Sequence, residues 1–348
     1  MRRSALVTQS VQNLSRIGDR RTPRGSSWLG GVAARYGLLI AWAIVAVIFS
    51  VLPGTSATFP TVNNLATIFG SQAVVAILTL ALVVPLAASD YDLSVAFVLT
   101  LSSMLVAVLN VNQHWPILAA MAVALAAGVF VGIINAAVIL FFRIDSLIVT
   151  LGSGTFIGGI VLLISNTNTI SGVSPSLVRW VIINRFLGIP LEFYYALAIG
   201  AAMWYAFVFL PIGTKLLFVG RGRSVARLSG INVERIRLGG FIVSGLISAL
   251  AGIVYAGTTG GADPTSGSLL LLPAFAAAFL GATSIYPGRF NPIGALAAVY
   301  FLVTGITGFQ LLGAQSYVQD LFYGGALVIA VALSQLARGR QALEAGKG

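Results

Sequence analysis

Apolar residues along this chain are gathered into long runs separated by short polar connections. A helix needs about 20 residues to cross the hydrocarbon layer of a bilayer. Ten runs fit that length, at 36–52, 65–88, 93–110, 117–142, 147–165, 192–211, 238–258, 268–286, 293–312 and 319–337. The pattern predicts an all-α integral membrane protein of about ten transmembrane helices. The runs at 65–88 and 117–142 are long enough to be tilted, broken or partly re-entrant.

Composition agrees with this class. Of the 348 residues, 58% are hydrophobic and 8% charged, and mean hydropathy is +0.97. A soluble chain carries about 25% charged residues, so this one has too few to cover a water-facing surface of its size. Secreted disulfide scaffolds, disordered tails and cytosolic enzymes are excluded together.

Charge orients the spans. The net +11 comes from Lys+Arg 20 against Asp+Glu 9, and the basic residues sit in the connections rather than in an aromatic-studded groove for nucleic acid. With the N-terminus inside, the connections at 89–92, 143–146, 212–237 and 287–292 fall in the cytoplasm. The 212–237 loop holds Lys215, Arg221, Arg223, Arg227, Arg235 and Arg237 against Glu234, while Arg143 and Arg289 lie in two of the others. On the opposite side 53–63, 111–116, 259–267 and 313–318 have no Lys or Arg, and 166–191 has Arg179 and Arg185. Ten spans with both termini cytoplasmic satisfy the positive-inside bias, whereas nine or eleven would strand one arginine-rich terminus outside. The expected organisation is a basic tail at 1–35, a transmembrane domain at 36–337 and a tail at 338–348. About 35 residues precede the first span, too long and polar a stretch for a cleaved signal.

Four segments carry candidate chemistry. In Ala88-Ser89-Asp90-Tyr91-Asp92-Leu93-Ser94 two carboxylates lie between apolar runs with no base beside them in sequence. Buried carboxylates are costly unless paired or hydrated, which points to a helix break facing a cavity or a partner. A solvated turn, with Asp92 or Ser94 capping the next helix, fits the same residues. Asp145 to Thr155 mixes glycines with Ser146, Thr150, Ser153 and Thr155 at the start of a span; the hydroxyls can line a path for a polyhydroxylated solute or bond back to the helix. A comparable cluster at Gly281-Ala282-Thr283-Ser284 and 288–294 hints at an internal repeat. Gly128 and Gly132 read as ordinary close helix packing.

The basic loop contains Gly220-Arg221-Gly222-Arg223-Ser224-Val225-Ala226-Arg227-Leu228-Ser229-Gly230-Ile231, a short candidate helix bounded by glycines. Topology marking and attraction to anionic lipid account for such a loop; so does a surface on which an external motor pushes. There are no cysteines and one histidine, His114, an interfacial loop residue, so neither a Cys site nor a multi-His metal site can form. No phosphate-binding G-x-x-x-x-G-K-[ST], H-E-x-x-H or G-x-S-x-G motif occurs, so the chain should not hydrolyse ATP itself, and a membrane enzyme is disfavoured.

Taken in order, these motifs resemble the ribose-type permease family of bacterial ABC importers, over most of 60–337. Ser89 to Val95 is similar to the family's G-x-D-L-S-V element, Ile148-Val149-Thr150-Leu151-Gly152 to F-I-V-T-L-G, and Ala226-Arg227-Leu228-Ser229-Gly230-Ile231 to A-A-R-L-S-G-I. Ser244-Gly245-Leu246 followed by Ala249-Leu250-Ala251-Gly252 continues the pattern. The resemblance implies a multi-pass subunit of the bacterial inner membrane that imports a monosaccharide or related carbohydrate. It has no cofactor of its own, since ATP is bound by partner ATP-binding subunits. A periplasmic solute-binding protein delivers the solute, and a second permease copy completes a homodimer or heterodimer. Arg221, Arg223, Arg227, Leu228, Ser229 and Gly230 would seat in the ATPase, and Asp90, Asp92, Ser94, Thr150, Ser153, Thr155, Thr283 and Ser284 are the candidates for the solute path. Where the family carries E-L-D-x-I-A, this chain reads Leu270-Leu271-Leu272-Pro273-Ala274-Phe275 without the two acids, and Ser89 and Tyr91 stand at glycine and apolar positions. These departures leave a polyol, an autoinducer or a branched-chain amino acid as alternative solutes. An ion-coupled secondary transporter, with Asp90 and Asp92 as its ion site, is the alternative from another class.

Overall fold

The computed structural model describes the backbone of residues 27–345 and the side chains of residues 35–332. The arginines at 2–24 and Lys347, with the side chains of Arg338 and Arg340, lie outside the described residues, and the charge reading of the two tails rests on them. Every apolar run forms helix. In chain order α1 is Ser27–Val51, α2 Val62–Ser71, α3 Ala73–Ala87, α4 Val95–Ala107, α5 Ile117–Phe142, α6 Ser146–Ser165 and the short α7 Pro175–Val178. They are followed by α8 Leu191–Phe209, α9 Pro211–Arg221, α10 Arg223–Leu228, α11 Val233–Thr259, α12 Ser266–Gly281, α13 Pro292–Leu311 and α14 Tyr317–Ala345. The fold is all-α apart from four two-residue strands. Of these β1 (Ile170–Ser171) pairs antiparallel with β4 (Gly261–Ala262), and β2 (Arg185–Phe186) with β3 (Ile189–Pro190).

Among the described residues seven helical stretches are long and apolar enough to cross a membrane: 62–87, 95–112, 117–142, 146–165, 191–209, 233–259 and 292–311. Three of the ten expected spans are shorter as apolar helix, at Arg35–Val51, Ser266–Gly281 and Tyr317–Ala332. Of the two long runs, 65–88 is interrupted. The backbone leaves helical geometry at Gln72 (φ −108°, ψ 6°), separating α2 from α3, while α5 continues through 26 residues without a break.

The bundle is organised around α3 and α11. Every residue of α3 is buried, as a helix apolar on all sides requires, and α8, α11, α12 and α13 surround it. On the other flank α11 packs along α5 and α4. Gly128 and Gly132 of α5 meet Gly245 and Phe241 of α11 so closely that a Cβ on Gly128 or Gly245 would overlap the other's backbone oxygen. Such backbone-to-backbone contact is how helices gain dispersion energy in a bilayer, where lipid tails are as apolar as leucine. The outer faces are apolar too: Leu118, Phe130, Phe156 and Leu163 are exposed, a surface suited to hydrocarbon rather than water.

The basic loop expected at 212–237 is mostly helical. In α9 Gly213, Leu216 and Val219 are buried at intervals of three while Pro211, Ile212, Thr214 and Lys215 are exposed, so the helix rests one face on the bundle. Gly222 then separates α9 from α10, and Gly230 (φ +78°) turns the chain towards α11. His114 lies in an exposed turn, as expected.

The α5–α11 contact should govern stability. Gly245→Ala is expected to cost about 1–3 kcal/mol by overpacking, whereas Gly239→Ala on the same helix, where an added Cβ meets nothing within 4 Å, should be neutral or stabilising. Thermal unfolding of the purified variants measures the difference, and equal midpoints would refute the packing argument.

Candidate functional site

The helix break at 88–94 gathers the candidate residues. The turn after α3 passes through Ser89 in the left-handed region (φ +57°), a conformation that favours glycine. The Ser89 hydroxyl offsets that strain by donating to the Gly220 carbonyl of α9 at 2.8 Å. Asp90 is 1% exposed. Arg237 of α11 grips it in bidentate fashion, Nε donating to Oδ2 at 2.7 Å and Nη2 to Oδ1 at 2.7 Å. Arg223 of α10 donates to Oδ1 at 2.9 Å and to the Ser89 carbonyl at 3.0 Å. Asp90 is thus a buried carboxylate at a helix break, and the two bases that pair with it come from more than 130 residues away.

Asp92, in the same connection, is 2% exposed and has no basic partner among the described residues. Its Oδ1 accepts from the Ser94 amide at 3.1 Å and hydroxyl at 2.5 Å, and its Oδ2 from Ser244 of α11 at 2.8 Å. Burial raises the Asp92 carboxyl above the ordinary carboxylate range, and these hydrogen bonds act the other way. Asn135 of α5 donates to the Ser94 oxygen at 2.9 Å, while its own Oδ1 is buried without a partner among the described residues. Three helices thus converge on Asp92.

A third set of bonds comes from α6. Ser146 Oγ accepts from the Tyr91 amide at 2.9 Å, and Thr150 Oγ1 from the Leu93 amide at 3.0 Å. Thr150 also donates within reach of the Ser146 carbonyl at 2.8 Å and the Tyr91 carbonyl at 3.2 Å. Thr150 bonds back to its own helix, as one reading of the α6 hydroxyls has it, and it also clasps the break. Asp145 caps α6, accepting from the Leu147 amide at 2.8 Å.

Other candidates stand apart. Ser153 bonds to the Thr150 carbonyl and Thr155, exposed, to Leu151. Thr283 donates to Leu280, and buried Ser284 to the Arg35 carbonyl of α1; neither shares a hydrogen bond with the Asp92 cluster. On the basic segment Arg221 faces the turn before α13, Arg227 pairs with Glu234 in a half-exposed salt bridge, and the Ser229 hydroxyl donates to the Val225 carbonyl. Leu228 is 90% exposed. A polar cavity of about 730 Å³ opens between this segment and the break, with Asp90, Tyr91, Arg143, Asp145 and Arg227 in its wall. No group of three or more His, Cys, Asp or Glu suited to a metal occurs among the described residues.

Sequence reasoning missed Arg237, Ser244 and Asn135 as parts of this site. Arg237 looked like one topology marker among six, and the others like ordinary helix residues, because their partner is remote in sequence. Burial ranks the two arginines, since the Arg237 side chain is 11% exposed and that of Arg223 39%. Arg237→Gln should cost about 3 kcal/mol, the scale of breaking a buried pair, and Arg223→Gln about 1 kcal/mol or less, as for exposed pairs. Unfolding of the two variants in detergent gives the order, and a larger loss for Arg223→Gln would overturn it.

Residues 64–331 match the family model described as branched-chain amino acid transport system / permease component. The chain is 30% identical over 302 residues to the D-allose transport system permease protein AlsC of Escherichia coli K12, covering 87% of this chain and 92% of that one. It is also 30% identical over 307 residues to the ribose import permease protein RbsC of Bacillus subtilis, covering 88% and 94%. The autoinducer 2 import system permease protein LsrD of Photorhabdus laumondii is 30% identical over 263 residues, covering 74% and 78%. No solved structure matches the chain. With more than three quarters of its length inside the family model, the chain belongs to this ABC-importer permease family and is related to its sugar-importer members.

Proposed function

We propose that this permease, a multi-pass protein of the inner membrane, carries a monosaccharide or related carbohydrate inward, driven by ATP hydrolysis in partner subunits. The coarser statement, an importer permease for a small polar solute, follows from family membership. The finer one is supported by the names of the relatives, which specify allose and ribose. A relative named for autoinducer 2 keeps that solute class as the alternative.

In this reading ten spans place both termini and α9–α10 in the cytoplasm. The 220–231 segment seats in an ATP-binding subunit, a periplasmic solute-binding protein docks on the opposite face, and a second permease copy completes the path. The carrying observation is the Asp90 clamp. A segment with an exposed Leu228 at its tip is tied through Arg223 and Arg237 to the break between α3 and α4. A push on α10 reaches the break through charge-assisted bonds rather than through flexible loop. Asp92, Ser94 and Thr150 then hold the moving backbone to α5, α6 and α11, and Asp90 transmits motion instead of touching solute. Ser153, Thr155, Thr283 and Ser284 remain candidates for the path only as hydroxyls beside it.

The ion-coupled reading is less well supported. Asp90 is already paired with two guanidiniums, and both carboxylate oxygens of Asp92 are already taken up by hydroxyl and amide donors of the protein.

The test is uptake into vesicles containing the permease, its ATPase and its solute-binding protein. Ribose or allose should accumulate only with ATP inside reach of the ATPase, and accumulation by the permease alone would reject the proposal. Leu228→Asp should weaken ATPase co-purification by roughly thirtyfold, the 2 kcal/mol of an interface hot spot, with the thermal midpoint unchanged. Arg227→Glu would set two carboxylates face to face at Glu234, so Arg227→Gln is the cleaner companion variant.

A further inference from the structure

At the arginine-rich end a second cavity, of about 310 Å³, lies between the end of α8, α9 and the turn before α13. Its walls are of two kinds. Trp204, Phe207 and Val208 come from the last two turns of α8, a stretch long and apolar enough to span a bilayer, and Leu217 and Phe218 of α9 continue the apolar wall. Arg221 and Arg289 stand on the rim.

The two arginines have no answering charge among the described residues. Neither makes a salt bridge or a side-chain hydrogen bond among the described residues, where the pairs are Arg223–Asp90, Arg227–Glu234 and Arg237–Asp90. Partial burial, and then the positive charge of Arg221, disfavour the charged form of Arg289. Like charges held this near one another repel, and an anion between them would remove the penalty. A third cation is close by: Arg35 lies over the Tyr286 ring at 5.8 Å, and Tyr286 lines the same cavity.

The turn carrying Arg289 is pre-formed. Asn291 caps α13 by accepting from the Gly294 amide at 2.7 Å, and its Nδ2 donates to the carbonyls of Gly281, Ser284 and Arg289 at 3.1–3.2 Å. The Ile285 amide is tied to the Arg35 carbonyl at 2.7 Å. Little ordering is left for a ligand to supply.

We infer that this cavity binds the phosphodiester headgroup of an anionic phospholipid between Arg221 and Arg289, with the first methylenes of an acyl chain against Trp204, Phe207 and Leu217. Charge complementarity selects an anion, and the apolar wall, which belongs to a helix end at the membrane surface, selects one with a hydrocarbon tail over a soluble phosphate. Tryptophan at such a depth is typical of the headgroup layer, and basic pockets between spans recognise anionic headgroups. Bound there, the lipid would brace α9, and through Gly220 and Arg223 the whole 220–231 segment, against the bundle. The inference needs only the membrane location and not the identity of the solute.

The experiment is native mass spectrometry of the full chain in detergent, titrated with dioleoyl phosphatidylglycerol, with dioleoyl phosphatidylcholine and with inorganic phosphate. The wild-type chain should retain phosphatidylglycerol saturably, with weak retention of phosphatidylcholine and no competition from millimolar phosphate. Arg289→Gln should weaken phosphatidylglycerol binding about fivefold, and adding Arg221→Gln should weaken it by about the same factor again, as expected for roughly 1 kcal/mol per basic residue. Arg235→Gln, an exposed arginine outside the cavity, should leave it unchanged, and monodisperse elution confirms that each variant is folded. Equal retention of both lipids, equal losses for Arg235→Gln and Arg289→Gln, or displacement by phosphate would overturn the inference. So would release of the lipid when the ATPase subunits bind, since the cavity would then belong to the protein partner. Sugar uptake is not the readout, so failure here is distinguishable from failure of the proposed transport activity.

Discussion

A carboxylate withdrawn from solvent is costly unless charged or polar partners reach it, and the order of this structure at its arginine-rich end depends on Asp90 being reached by two arginines. Arg237 arrives from the first turns of the central helix α11 and Arg223 from the short helix α10. Removing either side of a buried pair leaves an uncompensated charge, so the interaction resists gradual loosening. It fixes where α10 stands relative to the end of α3, and it converts a glycine-flanked surface segment into part of the bundle.

Below that clamp the polar groups continue inward instead of ending at the surface. Tyr91 and Leu93 are held by Ser146 and Thr150 of α6, and Asp92 collects Ser94, Ser244 and, through Ser94, Asn135. In a hydrocarbon environment an unsatisfied backbone group costs several kcal/mol. The non-helical stretch between α3 and α4 is tolerated because Ser146 and Thr150 of α6, Arg223 of α10 and the stretch's own Asp92 bond its backbone groups. The single orphan in this cluster, Asn135 Oδ1, marks where the network is least complete.

The same economy of polar groups explains the packing elsewhere. Where α5 and α11 cross, glycine brings the two backbones together without any polar contact. Where helices present large apolar side chains outward, on α5 and α6, the protein leaves them to lipid or to another subunit. Charge is concentrated at one end: Arg143, Arg221, Arg223, Arg227, Arg237 and Arg289 all border the two cavities there. Some of those arginines pair with acids of the chain, while Arg221 and Arg289 face each other across an opening.

Much of this could be read from the order of residues alone. Seven membrane-length helices, the option of a break in the long run at 65–88, the glycine-bounded short helix, the close packing at Gly128 and the family resemblance all rest on local pattern, because a bilayer imposes a length and an apolar surface on each helix separately. What local pattern could not supply was partnership. Asp90 had no base within reach along the chain, and Arg237 carried the same signal as any loop arginine. Ser244, Ser146 and Asn135 are single polar residues in helices that tolerate them. Only folding brings residues 90 and 237 into one bidentate contact, since hydrogen bonds and ion pairs act over a few ångströms of space and are blind to a separation of 147 positions along the chain.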